Sequence, residues 1–458
     1  MSASAETRAL LENARQRDGT QDVYSRFSHS QKCSILSVVS FSGLLMMFVW
    51  RSFIPSIPQV AHDLGSTEAT VSIAVSVSII SSAIGALFWS SHSSVYGRRL
   101  IYLCGMPFLL IGSVGVATSS SIPSLFMWRS LQAFGCAARL ALGCGVIGDI
   151  YCLEERGTAL GIFSGVMLLA NILAPAIGGV ITKYASWRHL HSFIVVWGCL
   201  DFLILYSCLP ETSHFSLIGR HVSRRLEWVN PFKCLSLLRN PNLFVVNITI
   251  AVTILTEFVL LVPLAYILDR QYGITSEAII GACFLPRGIG SSVGSPVAGR
   301  LSDAVIKKWR RKRYGEWVPE DRLRIVYIGG LIIVPFSLIA FALTTTYAQG
   351  PLGLALSLLA MFTHGFGINF VINPINSYCV DVMTPQSAEV MAAGSALRAL
   401  IGATGVLFLF PSVEYYGIIT TNCIAASVVI IGYGLVHLTI KYGDRMRPPV
   451  DTGNMMVS

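Results

Sequence analysis

Ionisable side chains standing inside long apolar runs are the residues of this sequence best placed to do chemistry. They are Arg51, Arg129, Arg139, Asp201, Glu257, Arg287 and Arg398, together with His364. A charge at the centre of a hydrocarbon layer costs roughly 2.5–3.5 kcal/mol on insertion scales, so each must face a partner or a water-filled cavity. Glu257, in the run Ile254-Leu-Thr-Glu257-Phe-Val-Leu, is the first candidate for a carboxyl group that takes up and releases a proton. The alternative for Glu257 is a structural ion pair with Arg51 or Arg398. Asp201 reads either as a second such carboxyl or as a hydrated group nearer a membrane face. His364 reads either as a proton relay or as a hydrogen-bonded packing residue beside Gly365.

The arginines outnumber the acids at depth. A guanidinium can hold a carboxylate through two parallel N–H donors, so Arg51, Arg287 and Arg398 point to an anionic cargo such as an organic acid rather than a cationic dye. An internal Arg51–Glu257 pair would cancel part of that surplus.

The elements that must position these residues follow from composition. The chain has 458 residues, 53% hydrophobic and only 12% charged, with a mean hydropathy of +0.64, so lipid is the solvent for most of it. Apolar stretches occur near 34–54, 70–90, 100–119, 124–148, 158–182, 190–209, 242–268, 278–298, 325–345, 351–375, 390–410 and 417–438. The expected fold is an all-α polytopic membrane protein of twelve transmembrane helices in two six-helix halves, 34–209 and 242–438. A tail (1–33), a linker (210–241) and a second tail (439–458) complete the chain.

With both termini assigned to the cytoplasm, 25 of the 33 Lys and Arg residues fall in cytoplasmic segments and three outside. The run Lys307, Lys308, Arg310, Arg311, Lys312 and Arg313 reads as a topology determinant or a contact for anionic lipid. The net charge of +9 therefore needs no nucleic acid. Acidic residues among the first 33 argue against a cleaved leader, and the plasma membrane and a monomer are expected. Most of the eleven cysteines lie in apolar stretches without a CxxC pair and read as packing residues. A phosphate-binding loop, a metal-ligand cluster and a nucleophile with its base are all missing at motif spacing, which excludes an ATP-driven pump and an enzyme. No cofactor is expected, and energy should come from an ion gradient.

Several segments resemble one family. Trp89-Ser-Ser-His-Ser-Ser-Val-Tyr-Gly97-Arg98-Arg99 is similar to the loop Gly-x-x-x-Asp-x-x-Gly-Arg-Arg of the major facilitator superfamily, with Ser90 and Ser94 in place of its glycine and aspartate. Gly299-Arg300-Leu301-Ser302-Asp303 repeats it in the second half. Arg129-Ser-Leu-Gln132-Ala-Phe-Gly135 resembles a family pattern whose buried arginine is implicated in proton coupling. Ala174-Pro175-Ala-Ile-Gly178-Gly179 is close to the antiporter signature Gly-Pro-x-x-Gly-Gly. Its stripe Ala170, Ala174 and Gly178 allows another helix to approach closely, and Pro175 frees the carbonyl of Asn171. Gly148-Asp149-Ile-Tyr and Leu209-Pro210-Glu211-Thr212 are further echoes. The resemblance is to the fungal twelve-span drug:proton antiporters. It implies alternating access, a small-molecule cargo exchanged for protons, and gates at 97–99 and 299–303, where Ser94 cannot supply the latch charge. A nutrient facilitator or importer, or a non-transporting sensor on the same fold, is the alternative.

Overall fold

Backbone in hydrocarbon has no water to satisfy its N–H and C=O groups, so each apolar run closes its hydrogen bonds within itself as a helix. The structure, a computed structural model, describes residues 26–151, 153–213, 230–314, 318–383 and 387–446, and no strand occurs among them. The expected tails up to residue 25 and from 447 lie outside the described residues, as do linker residues 214–229 with Arg220, Arg224 and Arg225. The first half contains α1 (His29–Arg51), α2 (Ile57–Asp63), α3 (Glu68–Tyr96), α4 (Arg98–Ala117), α5 (Ile122–Cys136), α6 (Ala138–Ile150), α7 (Leu153–Tyr184) and α8 (Trp187–Cys208). The second contains α9 (Pro241–Leu261), α10 (Leu264–Tyr272), α11 (Glu277–Cys283), α12 (Leu285–Lys312), α13 (Val334–Tyr347), α14 (Gly350–Val382) and α15 (Ser387–Met446).

Among the described residues, nine helical runs are long and apolar enough to cross a membrane. Twelve crossings are consistent with that number once the interruptions are read. The 60-residue α15 turns back at Gly417 (φ 81°, ψ 169°), where glycine alone adopts the backbone without strain, and so holds two spans. Span four breaks at Ala137 between α5 and α6, and span eight at Phe284 between α11 and α12. In span eight Pro286 has no N–H for the Ala282 carbonyl, which interrupts the ladder there.

Local chemistry sets the other ends. Ser28 and Gln31 form a capping box on α1, and Thr67 accepts from the Thr70 N–H at 3.2 Å to start α3. Pro55 cannot donate to the Arg51 carbonyl, and α1 stops at Arg51. The basic run lies beyond the eighth apolar stretch, 278–298, yet it is helical as far as Lys312, since α12 continues to that residue. Lys and Arg are good helix formers, and cations suit a helix C-terminus.

The protein is apolar outside as well as inside. Val196, Leu203, Ile332, Phe336 and Ile431 are each more than 60% exposed, a belt that suits lipid tails. The halves meet on the side away from the chain termini. There Phe53, Ile54, Ile57 and Val60 of the first half share a core with Leu260, Leu264, Ile280 and Phe284 of the second. The core that fills the termini side of the first half, from Ile35 to Leu209, contains no residue of the second. Glycines report the same asymmetry. A Cβ at Gly179 would sit 2.2 Å from the Glu277 carbonyl oxygen and one at Gly281 2.6 Å from that of Pro175, whereas Gly161, Gly165 and Gly299 have no such neighbour within 4 Å. The halves therefore part toward the termini side.

Candidate functional site

Glu257 projects from α9 between two guanidinium groups supplied by different halves. Its Oε1 lies 2.5 Å from Arg51 Nη2 at the end of α1, and its Oε2 lies 2.6 Å from Arg287 Nη2 on α12. Arg51 also donates from Nε to Asn171 Oδ1 of α7 at 3.0 Å. The neighbouring Thr256 hydroxyl is 2.9 Å from His364 Nε2 on α14. Arg51 and Glu257 thus form an ion pair across the interface between the halves. The side chain of Arg51 keeps 18% of its surface exposed while those of Glu257 and Arg287 keep 6% and 7%, so Arg51 is the open edge of the cluster.

Close backbone approach fixes this geometry. A Cβ at Gly365, next to His364, would lie 2.1 Å from the Arg287 carbonyl oxygen. One at Gly288 would meet Ile172 of α7 at 2.8 Å. Asn369 and Asn373 donate to the Ser291 and Ser295 hydroxyls at 3.0 and 3.1 Å. These contacts tie α12 to α14, and Arg287 and His364 are held in register.

The other sequence candidates do not join this cluster. Asp201 is not a hydrated group near a membrane face but fully buried, 3.6 Å from Arg139 Nε and accepting from the Ser42 hydroxyl at 2.9 Å. Burial of α8 against α1 places it inside the first half, where Arg139 supplies its counter-charge. Arg398 is not the partner of Glu257 either. It donates to Asn247 Oδ1 at 2.9 Å and to the Ser395 hydroxyl at 2.8 Å. Asn247 is ten residues before Glu257, roughly 15 Å along the helix. Arg129 is buried over the Phe53 ring, 4.3 Å from its centroid, and donates to Gln132 Oε1 at 2.7 Å. Among the described residues it has no carboxylate partner.

At the expected gates, Gly97 (φ 93°) separates α3 from α4. The Arg98 and Arg99 backbone N–H groups donate to the two oxygens of Glu211 at 2.8 and 3.1 Å. Arg98 Nε pairs with Asp149 at 3.0 Å, and Arg99 Nη2 donates to the Tyr206 carbonyl at 2.6 Å. The side chain of Ser94 lies outside the described residues. In the second half Arg322 bridges Asp303 at 3.3 Å and Asp381 at 3.0 Å. A Cβ at Gly299 would meet nothing within 4 Å. Pro175 and the glycines after it stand on the side away from the termini: Gly178 contacts the Ser52 backbone, and Gly179 faces Gly281.

Sequence reasoning assigned no role to the side chains of Asn171, Thr256, Glu211 and Asp149 or to Gly281, and it listed Arg139 without a partner. An asparagine in an apolar span was a signal for Asn171. Nothing local distinguishes Thr256 from the many hydroxyls that bond their own helix.

A sequence profile of the Major Facilitator Superfamily matches residues 39–406. The efflux pump radE of Floropilus chiversii is 27% identical over 90% of this chain and 80% of its own length. Citrate exporter 1 of Aspergillus niger is 24% identical over 92% of this chain and 88% of its own. Among solved structures, the xylose transporter XylE from E. coli in a partially occluded inward open conformation covers 90% of this chain and 98% of its own, with a TM-score of 0.65 and 16% identity, and shares the fold. The chain with its two helical halves and the ion cluster at their interface is therefore a multi-pass membrane transporter that belongs to the Major Facilitator Superfamily.

Proposed function

We propose that the chain is a secondary active exporter of small organic anions, an organic acid or an acidic secondary metabolite or drug, which works by alternating access with movement linked to the proton gradient through Glu257. The observation that carries this reading is the excess of arginine at the interface: two guanidiniums face one carboxylate, and one of them is partly exposed. Paired N–H donors in a partly desolvated place recognise a carboxylate and repel a cation. The efflux and citrate-export functions in the names of its relatives agree with this chemistry.

The termini side is the cytoplasmic one in this reading, because it bears the basic run of α12. The conformation described is then inward-facing, the plasma membrane is the site of action, and one chain contains a whole cluster and acts as a monomer. The contacts around Pro175, Gly178 and Gly179 close the outer side, and Arg98, Arg99 and Asp303 act at the inner one. Arg129, Arg398 and Asp201 lie apart from the cluster and act, if on transport at all, through the packing of the helices that carry it.

The test is a panel of labelled organic acids, polyamines and cationic drugs offered to the reconstituted protein under an imposed proton gradient, with Arg51→Gln beside the wild type. Gradient-dependent flux of acids that falls at least tenfold in the variant is the expected result. Flux of cations, or acid flux indifferent to the variant, would remove the reading.

A further inference from the structure

Past Leu301, α12 runs on as a polar helix to Lys312, and its exposed face changes chemistry without changing direction. Ile289, Val293 and Val297 form the outward apolar stripe of this helix, each more than a third exposed. Steps of three or four residues carry that stripe onward through Arg300 and Ala304 to Lys307, Lys308 and Arg311, all of them exposed. The buried residues of α12, among them Arg287, Ser291, Gly294, Ala298 and Ser302, lie on the other face. The basic residues therefore stand at the end of the lipid-facing stripe rather than in the space between the halves.

The helical extension is held in place from one side. Arg324 and Lys312 lie over the Trp309 ring, 3.7 and 4.8 Å from its centroid, and Asp321 binds both Arg313 and Arg324 at 2.9 Å. On the outward side the charges are not matched in this way. Among the described residues no carboxylate pairs with Lys307, Lys308 or Arg311, and Asp303 of the same helix is bridged to Arg322. Lys307, Arg310, Arg311 and Tyr314 line a hollow of about 330 Å³. The half negative charge of a helix C-terminus offsets only part of such a surplus.

We infer that this face of α12 is a docking site for an anionic lipid of the cytoplasmic leaflet whose headgroup carries more than one phosphate group, a proposal that rests on the orientation given above for the termini side and not on the cargo. Its tails lie along Ile289, Val293 and Val297, and its phosphates enter the hollow at Lys307 and Arg311. Height along the helix selects the headgroup. Arg311 stands eleven residues beyond Arg300, roughly 16 Å, whereas a headgroup layer is about 5–8 Å deep. A lipid charged only at the phosphate next to its glycerol reaches Arg300, and one extended by further phosphates reaches Lys307 and Arg311. Several cations around one hollow also match clustered phosphates better than a single carboxylate.

The full-length protein in detergent, titrated with a short-chain phosphatidylinositol bisphosphate and read by native mass spectrometry, tests the site. One lipid per chain should bind and keep its place against a tenfold excess of short-chain phosphatidylserine. Each cation near an anionic headgroup strengthens binding about fivefold, so Lys307→Gln combined with Arg311→Gln should weaken it at least tenfold. Both side chains are exposed and glutamine is a good helix former, so the fold is kept. Arg239→Gln combined with Lys441→Gln removes the same charge from exposed positions elsewhere on the termini side and should weaken binding less than twofold. Equal losses in the two pairs, or phosphatidylserine bound as tightly, would mean diffuse attraction to a basic surface and overturn the site, as would the absence of binding. Soluble inositol trisphosphate that binds as tightly as the lipid overturns it in favour of a free anion. A carboxyl-terminal tag that an impermeant label reaches in intact cells overturns the leaflet through the orientation, whatever the titration shows.

Discussion

Two buried ion groups in this molecule use the same residue types for different ends. Arg139 and Asp201 lie within the first half, 1% and 0% exposed, one charge against one, with Ser42 bonding the acid and the Arg139 carbonyl accepting from Tyr102. Arg51, Glu257 and Arg287 lie between the halves, two charges against one, with Arg51 partly exposed. The first is joined to elements that stay together when the halves move. The second spans the interface between the halves, which opens in the alternating access proposed above, and in that proposal its surplus charge receives the ligand. Location and charge balance, rather than burial alone, separate a structural pair from a working one.

The comparison breaks first where a partner is removed from the closed pair. Asp201→Leu leaves Arg139 buried without a counter-charge and should cost about 3–5 kcal/mol, read as a large fall in melting temperature of the purified protein. Adding Arg139→Met should restore most of it, because an apolar pair of similar volume needs no solvation. A single variant that melts like the wild type would mean that water enters this core.

Glu257→Gln should act in the reverse proportion. An amide can still accept from one arginine, and Arg51 keeps its Asn171 bond and its exposed edge, so the expected loss of stability is about 1–2 kcal/mol. The pH dependence of transport should disappear entirely. A melting temperature as low as that of Asp201→Leu would recast the central cluster as cement between the halves.

The glycine contacts sharpen the same contrast between the closed and open sides. Gly179→Val and Gly281→Val put side chains where carbonyl oxygens now lie 2.2 and 2.6 Å from the Cβ position, so the halves must part there. A shift of about tenfold in the population with that side open, about 1.4 kcal/mol, should appear as longer distances between spin labels at His62 and Thr275. Gly161→Ala, whose Cβ would meet nothing within 4 Å, should leave the distribution unchanged.

Much of this was legible in the sequence because membrane helices obey one-dimensional rules. Twelve apolar runs and the placement of Lys and Arg gave the architecture, and Pro175-Ala-Ile-Gly178-Gly179 marked a close helix contact before its partner Gly281 was known. That Glu257, Arg51 and Arg287 merited attention followed from the cost of charge in hydrocarbon. Which arginine each acid meets did not, since pairing depends on helix rotation and on which helices of opposite halves adjoin. Hence Arg398 rather than Arg287 was named beside Arg51 as a partner for Glu257, and Asp201 was set near a membrane face although α8 turns it inward onto Arg139. Glu211 was quoted only as part of an echo, because its partners are backbone N–H groups more than a hundred residues away.

Those N–H groups give the smallest of the expected effects. Two N–H groups at the start of α4 and the side chain of Arg98 meet Glu211 and Asp149, so the loop that lacks an aspartate at Ser94 still has two carboxylates at its basic residues. Glu211→Gln keeps one acceptor and removes the charge that complements the helix N-terminus, a change of about 0.3–1 kcal/mol. It should lower the melting temperature slightly and leave the direction of gradient-dependent flux in the reconstituted protein unchanged. Because Arg98 and Arg99 belong to the first half and Glu211 to the start of the linker that follows it, a large change in the distance between His62 and Thr275 in this variant would show that the loop acts on the second half after all. An unchanged distance would assign Glu211 to holding α4 against the end of α8.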